Sequence, residues 1–238
     1  MSQSADNKAA IAANRERILA IDTAVMNNKA SIYQSRSMIE ENRLMILSNY
    51  AAAFMGNRQL ANANTDELFA NRAAILGSHD SQSDVEENCI NASLNSASLA
   101  FLNHRSSMNS AVLDVSEELA AINARLIEIN TGIMDANAAI VDFNAAQIAA
   151  NASLLDGDLR PANATPESNA AMVAANAAGM AAIESNASAN SHRIEAIMAK
   201  SMENADSLVA NKATINARRD DIMKNRADVM ANRQRIGC

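Results

Sequence analysis

The sequence predicts an all-α fold, a long antiparallel three-helix bundle running up, down and up, and three observations predict it. An asparagine recurs every seven residues along nearly the whole chain, with an aliphatic residue four positions after it. Only two of the 238 residues are proline and six are glycine, so little interrupts a helix. Gly77, Gly157 and Gly237 stand 80 residues apart, which divides the chain into three copies of one unit, each a helix closed by glycine.

The first helix is expected over about 8–76, from its apolar period. The run Asn14-Ile18-Ile21-Val25-Asn28-Ile32 steps by four and three residues alternately. That is a coiled-coil heptad with an aliphatic residue at a and Asn at d, and Asn42 continues it. The step from Asn49 to Asn57 is eight residues, a skip expected to relax the supercoil locally. The helix should stop at Gly77 in a left-handed conformation. A loop over about 77–83 follows, and Ser83-Asp84-Val85-Glu86 reads as a capping box that opens the next helix.

The second helix is expected over about 84–155, with Asn123, Asn130, Asn137 and Asn144 at d and Ile127, Met134, Val141 and Ile148 at a. The second loop, about 156–165, holds Gly157, and Thr165-Pro166 reads as an N-cap followed by proline in the first turn. The third helix is expected over about 166–236, with Asn204, Asn211 and Asn225 at d. Three helices of near-equal length joined by short loops pack as antiparallel neighbours. The product is a single elongated bundle, a rod about 100 Å long at 1.5 Å per residue. A continuous parallel fibre would instead reach roughly 350 Å, and the capped breaks argue against it.

Of 29 d positions, 22 are Asn, and that number decides how the amides must behave. One buried amide without a partner costs on the order of 1–3 kcal/mol. Twenty such penalties would exceed the roughly 5–15 kcal/mol that holds an ordinary domain together. The side chains must therefore bond one another, backbone carbonyls or trapped water. Asn14, Asn28, Asn42, Asn123, Asn130, Asn137, Asn144, Asn204, Asn211 and Asn225 are expected to form a register-setting core. This Ile-at-a, Asn-at-d pattern resembles stretches of trimeric autotransporter adhesin stalks. The resemblance covers the heptad character, and it implies a parallel trimeric stalk with anion-holding Asn layers as an alternative architecture. Such stalks carry a signal sequence and a membrane anchor, and the chain as it stands shows neither.

The formal charge of −7 argues against nucleic acid as a partner, because a phosphate binder needs a basic surface. No apolar run is long enough for a membrane span, and the compartment is not legible. His79, His104 and His192 belong to no constellation of the kind an active site needs, and no phosphate loop or nucleophile motif occurs. No catalytic, metal or cofactor site is expected, and the protein reads as non-enzymatic. The Asn-Ala-Ser/Thr acceptor triplets at Asn91, Asn151, Asn163 and Asn186 reflect a composition rich in these residues.

The second helix carries a second apolar stripe at g and c. Position c lies about 100° from d and points out of a three-helix bundle. Phe101, Val115, Ile122, Ile129 and Phe143 are therefore expected to dock other protein subunits or copies of the chain. Cys89 and Cys238 should lie at the same end of the rod, where a disulfide is possible. The function expected is a scaffold, spacer or linker rod in a larger assembly; the alternative is a self-assembling filament or lattice protein.

Overall fold

A computed structural model describes residues 2–237. Three long helical stretches account for nearly all of them, and no strand occurs among the described residues. The first stretch comprises α1 (Gln3–Tyr50), a π-helical segment (Ala51–Asn57) and α2 (Arg58–Gly77). The second is α3 (Asp84–Leu155) and the third α4 (Pro166–Ile236), with a short 3-10 turn at Pro161–Asn163 between them.

The helix ends follow local chemistry. Ser83 Oγ accepts from the backbone N–H of Glu86 at 3.3 Å, while Glu86 accepts from the N–H of Gln82 at 2.6 Å. At α4, Thr165 Oγ1 accepts from Ser168 N–H at 3.1 Å and Ser168 Oγ accepts from Thr165 N–H at 2.9 Å. Each pair satisfies two amides at a helix start. Gly157 and Gly237 adopt φ of 89° and 82°, the left-handed closure. Gly77 differs from expectation: it is the last residue of α2 and keeps a negative φ. Ser78 follows it and bonds back to the carbonyls of Ala74 and Ile75, so no left-handed residue is needed there.

The chain forms two compact units, Met1–Asn64 with Ala162–Asp228, and Thr65–Pro161 with Val229–Cys238. In the first unit α1 lies along α4. Asn14 Nδ2 donates to the carbonyl of Val173, Asn28 to Ala187, Asn42 to Ser201 and Asn49 to Leu208. Each acceptor is 159 residues beyond its donor, so the two helices run in the same direction without slipping. The buried residues Ile21, Met180, Ala187 and Ile194 sit on the line of contact.

The eight-residue step is taken up inside the π-helical segment. There the N–H of Arg58 bonds to the carbonyl of Ala53, five residues back. Beyond it, Asn57 donates to Ile215 and Asn64 to Ile222, each 158 residues on. The extra residue is thus swallowed in one wide turn, and the amides on both sides still face α4. The skip expected to relax the supercoil falls within this segment.

In the second unit, α2 and the first turns of α3 form a hairpin. Phe69 stacks on Phe101 with ring centroids 4.6 Å apart. The Arg105 guanidinium lies 4.9 Å over the Phe101 ring and reaches Asp66 at 3.3 Å. Ala97 is buried beside them. Asn71 Nδ2 donates to the carbonyl of Val229 at 3.0 Å, and Val229 is 2% exposed. From Leu102 to Leu155 every residue of α3 is exposed except the half-buried Val112 and Ser153.

Candidate docking surface

The α1–α4 contact explains which faces remain open. On α1 the covered positions are d and g, among them Asn14, Arg17, Ile21, Ser31, Ser35 and Met38. On α4 they are a and e, among them Val173, Ala177, Met180, Glu184, Ala187 and Ser191. The register of the amide bonds sets which residues face each other across the contact. Ile21 falls opposite Met180, while Asn28 and Asn42 fall opposite the small Ala187 and Ser201. The amides reach the helix backbone at small residues and also at Val173, Leu208 and Ile215. A helical carbonyl has a second lone pair free for it.

This arrangement leaves the aliphatic a row of α1 outside the contact. Ile11, Ile18, Val25, Ile32, Ile39 and Ile46 stay between 44% and 53% exposed. Ile183 and Ile197, at d on α4, are similarly open. Sequence reasoning placed the a row in the core of a three-helix bundle; a pair of helices covers only one side of each seam.

Of the ten asparagines expected in the core, Asn14, Asn28 and Asn42 make cross-helix bonds. Asn123, Asn130, Asn137 and Asn144 on α3, and Asn204, Asn211 and Asn225 on α4, are exposed. The difference is one of face. The d row of α1 meets α4, Asn204, Asn211 and Asn225 of α4 lie on an exposed face, and α3 from Leu102 to Leu155 is exposed but for Val112 and Ser153. Asn7, Asn49, Asn57, Asn64 and Asn71 carry the same bond; the last four were legible as d positions, though not their partner. The g residues of α1 and the e residues of α4 were the missed half of the contact. Their signal was the small side chains at Ala10, Ser31, Ala170 and Ala177.

Among the described residues one charged pair crosses the contact. Arg17 Nε and Nη2 donate to the two Glu184 carboxylate oxygens, both at 2.5 Å. This joins g on one helix to e on its parallel neighbour, where coiled coils select partners. The hydrogen bond to Arg17, aided by its positive charge, lowers the Glu184 pKa from its ordinary value, and burial opposes this. The same hydrogen bond raises the Arg17 pKa.

The residues read as a docking row divide. Phe101 is half-buried against Phe69 within the hairpin, so its ring is occupied inside the chain. Val115, Ile122, Ile129 and Phe143 are 41%, 53%, 52% and 62% exposed. They lie on α3 with Leu119, Leu126, Ile133 and Ile140, also exposed. Cys89 is exposed, and Cys238, its expected partner, lies outside the described residues. No group of three or more His, Cys, Asp or Glu side chains suited to a metal ion occurs among the described residues. No helix among them is long and apolar enough to cross a membrane.

The class defined by these features is an all-α protein of three long helices with open apolar faces. No family model, curated protein or solved structure matches the chain.

Proposed function

We propose that the protein is a non-enzymatic structural rod, a scaffold, spacer or linker subunit of a larger protein assembly. In this reading the three helices run up, down and up as a coiled-coil bundle about 100 Å long. Ile, Val and Leu fill a, and Asn fills d. The rod docks other subunits, or copies of itself, through the outer face of α3 at Val115, Ile122, Ile129 and Phe143. The observation that carries the reading is the amide ladder from Asn14 to Asn64 along α4, with steps set by the heptad. Such a ladder holds register over a long distance, which serves length and spacing. Negative-stain microscopy of the purified chain tests it. Isolated rods of about 100 Å are expected, and compact particles would refute the reading.

The second reading is a self-assembling filament or lattice protein, favoured by the number of apolar residues left open on α1 and α3. Polymers in the same micrographs would support it. A parallel trimeric stalk would appear as an unbranched fibre of roughly 350 Å.

A further inference from the structure

We propose that α3 pairs with α3 of a second copy through a coiled-coil seam on its outer face, making the protein a homodimer joined along that helix. The inference rests on the reading that this face docks, and it identifies what docks there. From Val112, alternate steps of three and four residues land on ten positions ending at Phe143. Nine of the ten are Val, Leu, Ile or Phe, and the tenth is Ala136. This is a complete apolar heptad seam of the kind that joins helices. It is separate from the Asn heptad, whose Asn123, Asn130 and Asn137 run along one edge of it.

The seam is uncovered. Its large side chains from Val115 to Phe143 are between 39% and 62% exposed, and Val112 is half-buried. Nine side chains about half exposed offer on the order of 800 Å² per copy, the share each partner contributes to a standard specific interface. Isolated apolar residues on a surface need no partner, but a contiguous patch of this size does.

Charge and hydrogen bonding favour a second copy as the occupant. The acidic residues Asp114, Glu117, Glu128, Asp135 and Asp142 lie roughly 120–180° around the helix from the middle of the seam. Two α3 helices can therefore meet without these like charges facing each other, although the chain carries −7 overall. One edge of the seam carries amides, which both donate and accept and so complement themselves. Charged residues on the other edge are Glu118 and Arg125, of opposite sign and one heptad apart. An interface between identical surfaces must be self-complementary in this way. A strongly charged foreign partner would call for a rim of one sign.

Sedimentation equilibrium of the full chain under reducing conditions tests the pairing, with cysteine crosslinks excluded. The expected result is a species of twice the 25.3 kDa chain mass. The double variant Ile122→Lys/Ile129→Lys should return to the mass of one chain, with unchanged helicity by circular dichroism. Ala136→Glu, a milder change on the same exposed face, should weaken association in the same direction. A wild-type chain that stays monomeric at every concentration overturns the proposal, as does a dimer untouched by both variants. The rod reading is judged separately by particle shape. Monomeric rods would refute this pairing alone, and compact dimers would refute the rod alone.

Discussion

At the scale of the residue, the asparagines divide by what they touch. Asn42 is buried and donates to the Ser201 carbonyl at 2.7 Å. Asn42→Ala should cost about 1–2 kcal/mol, measured by chemical denaturation. Asn130 has the same heptad position on α3 but is exposed, so Asn130→Ala should change stability by less than about 0.5 kcal/mol. Equal costs at the two sites would contradict this division. The spacing made both residues legible as d positions. The partner was not legible, because an amide can bond another amide, water or a carbonyl with equal chemical ease.

The Arg17–Glu184 pair gives a pH-dependent prediction. Glu184 has a lowered pKa in the folded chain because Arg17 donates to it. Its contribution is therefore present above the unfolded carboxylate pKa of about 4.3, and is lost as pH falls through the lower folded value. Glu184→Gln should be less stable than wild type at neutral pH, and the gap should close as the solution is acidified below that value. Thermal melts from neutral to acid pH would show it, and a gap independent of pH would argue against the pair. The sequence shows Arg17 and Glu184 at g and e; their meeting became visible only with the 159-residue register.

At the scale of the element, the π-helical segment absorbs one residue without turning the following amides away from α4. Deleting Ala52 should convert Ala51–Asn57 to ordinary α-helix and leave every ladder bond in place. Stability should stay within about 1 kcal/mol of wild type. Deleting Ala30 instead removes a residue between Asn28 and Asn42. It rotates the rest of α1 by about 100° and should lower the melting temperature well below that of the Ala52 deletion. The skip was legible as a break in a count, whereas its π form depends on both flanking stretches staying on the same partner face. The capping box at Ser83 and the N-cap at Thr165 were legible too, since they depend only on residues three or four apart; the return bond from Ser168 was not read. Gly77 was misjudged for the opposite reason: its neighbours offered Ser78 another way to close the helix.

At the scale of the whole molecule, the all-helical class was plain from scarce glycine and proline and from a heptad that recurs in all three helical stretches. The division into two units was not. No linker marks the boundary at Asn64 and Thr65, which lies inside α2. The g–c stripe of α3 was legible as apolar, but Phe101 was read as outward because its partner Phe69 comes from a different heptad phase. If α3 is a dimer seam, its backbone amides between Val112 and Phe143 should exchange hydrogen faster on dilution to the monomer. Those of α1 facing α4 should not change. Hydrogen exchange at two concentrations would distinguish this from a uniform response.

The parallel ladder also constrains the order of events during synthesis. Asn14 finds its acceptor 159 residues later, at Val173, whereas Phe69 meets Phe101 after 32 residues. At roughly 5–20 residues per second, the ribosome needs about 8–32 s to supply the partner of Asn14. The α2–α3 hairpin can close well before then, while α1 waits as a lone helix with its amides in water. The ladder is thus a late zipper, and the first-made part of the chain is among the last to find its place.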